Sequence, residues 1–179
     1  MMYMHIILIS GKAQHGKDSV AKMLKQKYEQ QNKKVLIAHY GDLVKFVCEK
    51  YFNWDGKKDE AGRTLLQWIG TDIVRSVNPN YWVDFVKGML SMFKGEWDYV
   101  LIPDCRFKNE MQWDEGWNTI TVRINRINFN SPLTLEQQNH PSETELDDYN
   151  FDYVIDCESG LDKLEFEVEK FIKWLEELN

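Results

Sequence analysis

Residues 4–10, Met-His-Ile-Ile-Leu-Ile-Ser, form a short run with scarcely any polar face, and the chain then breaks at once into Gly11-Lys12-Ala13-Gln14-His15-Gly16-Lys17-Asp18-Ser19. A strand apolar on both sides has to be covered on both sides, which selects a parallel sheet held between helices. After the loop, Lys17–Gln31 carries Val20, Met23, Leu24 and Tyr28 at helical spacing. The glycine loop therefore joins the end of a buried strand to the start of a helix. The spacing Gly11, Gly16, Lys17 satisfies G-x-x-x-x-G-K. In that context glycines allow a tight turn whose N–H groups, with the helix N-terminus, point at phosphate oxygens. The lysine then reaches the β- and γ-phosphates.

The alternation continues along the chain. Lys34–His39, Tyr99–Ile102, Thr119–Asn125 and Tyr153–Asp156 read as further short apolar strands, with Tyr99–Ile102 closing on Pro103-Asp104. Helices are predicted from a cap at Asp42 to about Phe52, over Ala61–Ser76 with Leu65, Leu66, Ile69 and Ile73 on one face, over Tyr81–Phe93, over Phe107–Trp117 and over about Leu161–Leu178. Short apolar strands alternating with helices imply parallel pairing through right-handed crossovers. The expected fold is α/β: a three-layer α/β/α sandwich on a five-stranded parallel sheet, and residues 1–179 fit a single domain. Ligands of such sheets collect at the carboxyl ends of the strands. Gly11, Asp104, Arg126 and the segment 127–150 all follow strands and are expected at that edge. The segment lacks a periodic pattern and holds Pro132 and Pro141, which reads as a lid-like loop.

Charge narrows the possible partners. A net charge of −7 argues against sequence-independent binding of nucleic acid. Yet Arg63, Arg75, Arg106, Arg123 and Arg126 all fall in the middle of the chain, as an anion pocket requires. No apolar run is long enough to span a bilayer, and the opening Met1-Met2-Tyr3-Met4-His5 lacks the basic region of a secretion signal. A cytoplasmic location is expected (host cytoplasm for a viral protein). Cys48, Cys105 and Cys157 have no metal or redox spacing and are expected to be buried free thiols. Asp18 departs from the generic phosphate-loop motif, because Ser or Thr usually ligates Mg2+ at that position. An anion there needs the metal, its waters or a nearby cation to face.

The chain as a whole resembles the phage and bacterial deoxynucleoside monophosphate kinase family, a branch of the P-loop kinases. The resemblance is carried by Gly11–Ser19, Gly41-Asp42-Leu43-Val44-Lys45, Arg63–Arg75, Asn80-Tyr81-Trp82, Pro103–Glu110, Arg123–Arg126 and His140-Pro141-Ser142-Glu143, in that order. The D-x-R-F-x-N-E and R-x-L-L-Q-x-x-G-T runs are the specific ones. Pro103 stands where relatives tend to have a small polar residue, and the segment after Arg126 shares little sequence.

The resemblance implies transfer of the ATP γ-phosphate to a nucleoside 5′-monophosphate, with Mg2+, by a monomer or homodimer. ATP would be held by Gly11, Lys12, Ala13, Gln14, His15, Gly16, Lys17, Asp18 and Ser19. Catalysis would fall to Lys17, Asp104, Arg123 and Arg126, the two last arginines closing over the transferring phosphoryl. The metal would face Asp104 and Asp18. The acceptor side, helices over about residues 42–94 and the edge beyond, would use Asp42, Lys45, Arg63, Arg75, Trp82, Arg106, Glu110, His140 and Glu143. An Arg106–Glu110 pair at i,i+4 would orient the guanidinium. Trp68 and Trp82 are candidates to stack a base, and Ser142 with Glu145 also reads as a helix capping box. Two other readings keep the phosphate loop: a kinase for another phosphorylated metabolite, of phosphomevalonate or dephospho-coenzyme A type, and a non-catalytic nucleotide-binding module.

Overall fold

The computed structural model describes residues 4–178, so Met1, Met2 and Tyr3, which bear on the export reading, lie outside the described residues. Five strands, β1 (His5–Ser10), β2 (Val35–Ile37), β3 (Tyr99–Cys105), β4 (Asn118–Arg126) and β5 (Tyr153–Cys157), form one sheet in the order β2-β3-β1-β4-β5. All of its pairings are parallel. β1 is the central strand and is buried on both faces. Its side chains alternate between two cores: Ile6 and Leu8 join one, Ile7 and Ile9 the other.

Each face is covered by helices of matching pattern. α1 (Lys17–Gln30) and α9 (Leu161–Leu178) cover one face with Val20, Leu24, Val168 and Phe171. The other face carries α2 (Gly41–Phe52) and α5 (Tyr81–Met92), which contribute Val44, Cys48, Val83, Val86 and Leu90. Between them runs a helical stretch made of α3 (Glu60–Gln67), a π-helical turn over Trp68–Ile73, and α4 (Val74–Val77). Three shorter helices, α6 (Lys108–Met111), α7 (Leu135–Asn139) and α8 (Pro141–Thr144), lie in the connections beside the site. The result is the expected three-layer sandwich. Cys48, Cys105 and Cys157 are free and buried, and among the described residues no helix is long and apolar enough to cross a membrane.

Several local expectations change, each for an identifiable reason. The predicted single helix over 61–76 contains the π turn because the Gly70 carbonyl accepts the Trp82 indole N–H at 2.9 Å, which diverts it from the regular ladder. The predicted helix over Phe107–Trp117 shrinks to α6. The Glu110 carbonyl, which a longer helix would need, accepts instead from the Tyr40 hydroxyl and the Trp113 indole. Asp42 does not cap α2; it lies inside the first turn and pairs with Lys45 at 2.9 Å. The cap comes from another strand: the two carboxylate oxygens of Asp104 accept the N–H groups of Tyr40 and Gly41 at 3.0 and 2.8 Å. The Ser142–Glu145 capping box is absent too, because His140 caps α8 and Glu145 accepts the Lys108 amide.

β3 runs past its predicted end, through Pro103 to Cys105. Its register against β1 slips there, with Leu8 opposite Ile102 but Ser10 opposite Cys105. A bulge accommodates a proline that has no N–H to give and re-aims the residue beside it, Asp104. At Gly11 the chain passes so close to β4 that a Cβ would lie 2.5 Å from the Ile124 carbonyl oxygen. Gly11→Ala is therefore expected to destabilise the protein by about 1–3 kcal/mol, the usual cost of overpacking against backbone. Urea denaturation of the variant beside the parent protein measures it.

Candidate active site

The loops at the carboxyl edge enclose a cavity of about 350 Å³. On one side it is lined by Ala13, Gln14, Lys17 and Asp18 of the phosphate loop, on the other by Lys45, Arg63, Arg75 and Arg106. Asp104 and Glu143 stand between the two sides, and Val44, Leu66 and Trp82 form an apolar wall.

Gly16 sits at φ 94, a left-handed conformation that glycine adopts without strain, and it starts α1. Lys17 follows at 8% exposure. Its ammonium donates to the carbonyls of Gly11 and Lys12 at 2.6 and 2.8 Å. Burial, with the Arg106 guanidinium nearby, lowers its pKa to about 7. The anomalous Asp18 has a partner of its own, since the His39 imidazole lies 3.3 Å away. That hydrogen bond holds the Asp18 carboxyl below its ordinary value and raises His39 above its own. His39 also approaches Asp42 at 3.4 Å. It closes the second strand's apolar run, at the same edge as the phosphate loop; that position was the available signal for it.

Across the cavity from the phosphate loop the carboxylates and guanidiniums exchange the partners expected of them. Arg106 does not pair with Glu110. Its guanidinium meets Glu143 and donates to the Ser142 carbonyl. Glu143 also accepts the Ala13 amide of the phosphate loop at 3.0 Å. Burial opposes ionisation of Glu143, but Arg106, the Ala13 amide and Lys17 hold its carboxyl below the usual range. Glu110 is 2% exposed. It pairs with Arg75 and accepts the backbone N–H groups of Arg106 and Phe107. Burial pushes its carboxyl up to about 7, against the pull of Arg75 and those amides. Arg75 lies over the Phe107 ring, 4.0 Å from its centre, and donates to the Pro79 carbonyl. Its donors are largely spent on the fold.

Other predicted site residues lie elsewhere. Arg123 and Arg126 are both within β4 and do not line the cavity. Arg123 donates to Ser10 and Asp147. Arg126 covers the Phe129 ring at 4.2 Å and reaches the Gln14 carbonyl and Ser159, on the outer side of the phosphate loop. An odd spacing on one strand sends the two to opposite faces. His140 is held by Ser142 and Asp72, and neither it nor Asp42 lines the cavity. Lys12 pairs with Asp147 in the open, a contact worth about 0–1 kcal/mol. Trp82, by contrast, does reach the cavity, but only as part of its apolar wall: it is 2% exposed, packed in the core, with its indole N–H occupied by Gly70. Trp68 is 45% exposed, meets Phe52 edge-on and lies outside the cavity. The segment 127–150 packs down on α3, with Gln137 donating to the Glu60 carbonyl and Thr64.

A phosphate loop on the central strand of a five-stranded parallel sheet, with helices on both faces and cations across one cavity, defines a nucleotide-binding α/β protein of the P-loop kinase fold. The chain belongs to the deoxynucleotide monophosphate kinase family, whose model matches residues 40–168. That match begins beyond the phosphate loop and runs from α2 into α9. A protein of Enterobacteria phage T4 described as deoxynucleotide monophosphate kinase is 29% identical over 115 residues, which span 63% of this chain and 46% of that relative. Solved structures that resemble the chain include the APS kinase of Mycobacterium tuberculosis bound to AMPPNP and APS (TM-score 0.48, 13% identity, 97% of this chain and 99% of that one). A mutant form of the same enzyme gives a TM-score of 0.45 at 14% identity.

Removing one partner of the buried Arg75–Glu110 pair leaves a charge without compensation. Glu110→Ala is expected to cost about 3–5 kcal/mol of stability, measured by denaturant unfolding. The double variant Glu110→Leu/Arg75→Met should recover much of the loss.

Proposed function

We propose that the protein transfers the γ-phosphoryl group of ATP to a nucleoside or deoxynucleoside 5′-monophosphate, giving the diphosphate. The observation that carries this reading is the single cavity with a phosphate loop on one wall and Lys45, Arg63 and Arg106 on the other. A donor and an anionic acceptor fit there face to face, and family membership supplies the acceptor's class.

The chemistry is positioning and charge neutralisation. A phosphate oxygen of the acceptor attacks the γ-phosphorus in line, and the bridging oxygen leaves with ADP. Lys17, freed from the Gly11 and Lys12 carbonyls, follows the charge as it moves from the γ- to the β-phosphate. Arg106, Lys45 and Arg63 neutralise the acceptor phosphate, whose own charge otherwise repels the donor. Val44, Leu66 and Trp82 give the nucleoside an apolar wall.

Among the described residues no group of three metal-ligating side chains occurs. Mg2+ would be held chiefly through phosphate oxygens and water, with the carboxylates of Asp18 and Asp104, both on the cavity wall, available to those waters. Such an ion would neutralise charge on the phosphate oxygens. Asp104 already accepts two amides of α2, so its more evident work is to fix the acceptor helix to the sheet edge.

ADP release measured with a panel of nucleoside and deoxynucleoside monophosphates, and with phosphorylated metabolites of other classes, tests the reading. Stimulation by at least one nucleoside monophosphate is expected, and none at all would overturn it. Lys17→Ala should lower kcat by about 10²–10³-fold, the loss typical of one oriented donor.

A pH dependence follows from the same lysine. Burial lowers its pKa to about 7, so by pH 8 the neutral form predominates. A triphosphate favours the charged form. Nucleotide binding at pH 8 should therefore take up a proton, and affinity should weaken as pH rises from 7 to 9. Calorimetry at pH 8 in two buffers of different ionisation enthalpy measures the uptake. Equal apparent enthalpies would contradict it.

A further inference from the structure

We propose that Lys58, on the connection between α2 and α3, is a phosphate-binding side chain for the acceptor, presented to the cavity by a braced loop. The inference rests on the acceptor reading above and deepens it. Lys58 was not singled out by its sequence, where Asn53–Asp59 reads as a polar turn.

Lys58 is exposed as a residue yet lines the cavity, which puts it at the rim. Its side chain makes no hydrogen bond or ion pair among the described residues, and neither does that of Arg63, the other cation presented by this part of the chain. Other cations around the cavity have anions or carbonyls: Lys17 holds Gly11 and Lys12, Lys45 holds Asp42, Arg75 holds Glu110 and Arg106 holds Glu143. Burial, together with Lys45 and Arg106, lowers the Lys58 ammonium from its ordinary value, against the opposing pull of Asp18 and Asp104. Lys58 lines the same cavity as all four of these residues. Unpaired, partly desolvated and beside two like charges, it is a group that gains by meeting an anion.

A free surface lysine would sit on a loose loop, but this loop is tied down. The Trp54 indole donates to the Lys57 carbonyl at 2.9 Å, and Asp55 accepts the Lys57 amide at 3.0 Å. Asp59 caps α3 by accepting the Gly62 amide at 2.8 Å. Gly62 itself lies so close beneath the turn that a Cβ would be 2.0 Å from the Lys57 carbonyl oxygen and 2.7 Å from the Trp54 indole nitrogen. Contacts on both sides thus fix the backbone that carries Lys58. An ordered stem lowers the entropy lost when the ammonium grips a phosphate.

The test measures binding and turnover separately. Calorimetry gives the Kd of a deoxynucleoside monophosphate and of ATP, and steady-state assays give KM and kcat, for the parent protein, Lys58→Ala, Lys58→Arg and the control Lys57→Ala. Lys58→Ala should raise the Kd and KM for the monophosphate about ten- to hundredfold, as losing one charge-assisted hydrogen bond does. ATP affinity should stay within about twofold, Lys58→Arg should recover most of the loss, and Lys57→Ala should match the parent. Gly62→Ala, where it folds, should show the Lys58→Ala phenotype with the lysine still present. A monophosphate Kd unchanged in Lys58→Ala overturns the inference, and so does an equal loss of ATP affinity. A parent protein that binds the monophosphate through Lys58 without turning it over would refute the kinase reading alone. One that binds no monophosphate at all refutes both.

Discussion

The burial of β1 on both faces forces a helical layer onto each side of the sheet and leaves the carboxyl edge to the loops that carry chemistry. Ile6, Leu8 and Ile9 have no measurable exposure, and burying a side chain of that size is worth about 1.5–3 kcal/mol. The phosphate loop inherits its position from this strand. Gly11 passes against β4 where no larger residue fits, and Gly16 turns the chain into α1. Asp104, at the end of the neighbouring strand, ties α2 to the same edge through two charge-assisted hydrogen bonds, each worth about 1.5–3 kcal/mol. The phosphate loop and α2 are thereby referred to adjacent strands of one sheet.

Features that depend on local pattern were legible in the sequence. Apolar runs located all five strands, and the G-x-x-x-x-G-K spacing located the loop between β1 and α1. Features that depend on who meets whom were not. Arg106 and Glu110 are four apart and of opposite charge, yet each takes a distant partner, because α8 brings Glu143 to Arg106 and α4 brings Arg75 to Glu110. Asp42 reads as a cap, but Asp104, 62 positions further on, does that work. The π turn follows from one indole reaching one carbonyl. Periodicity registers no such contact, and it is equally silent about His39 and Lys58, whose neighbours come from other elements.

All five arginines cluster in the middle of the sequence, but the structure divides them among different surroundings. Arg63 and Arg106 line the cavity, Arg75 is largely consumed by Glu110 and Phe107, and Arg123 and Arg126 stay on β4 beside the phosphate loop. The acidic net charge is compatible with a cationic cavity because acids are placed among the cations: His39 answers Asp18, and Glu143 answers Arg106. Unpaired, those buried or half-buried cations would repel one another and weaken the fold.

Glu143 also gives the cavity a counter-ion from the protein itself. Its carboxylate accepts from a phosphate-loop amide and from Arg106 together, the kinds of donor that a phosphate group would take. A phosphate that claims them trades places with a carboxylate instead of entering a void. Its net affinity is then a difference between two anions, smaller than the bare cations alone would give. The same carboxylate compensates the Arg106 guanidinium and the phosphate-loop amide within the fold itself.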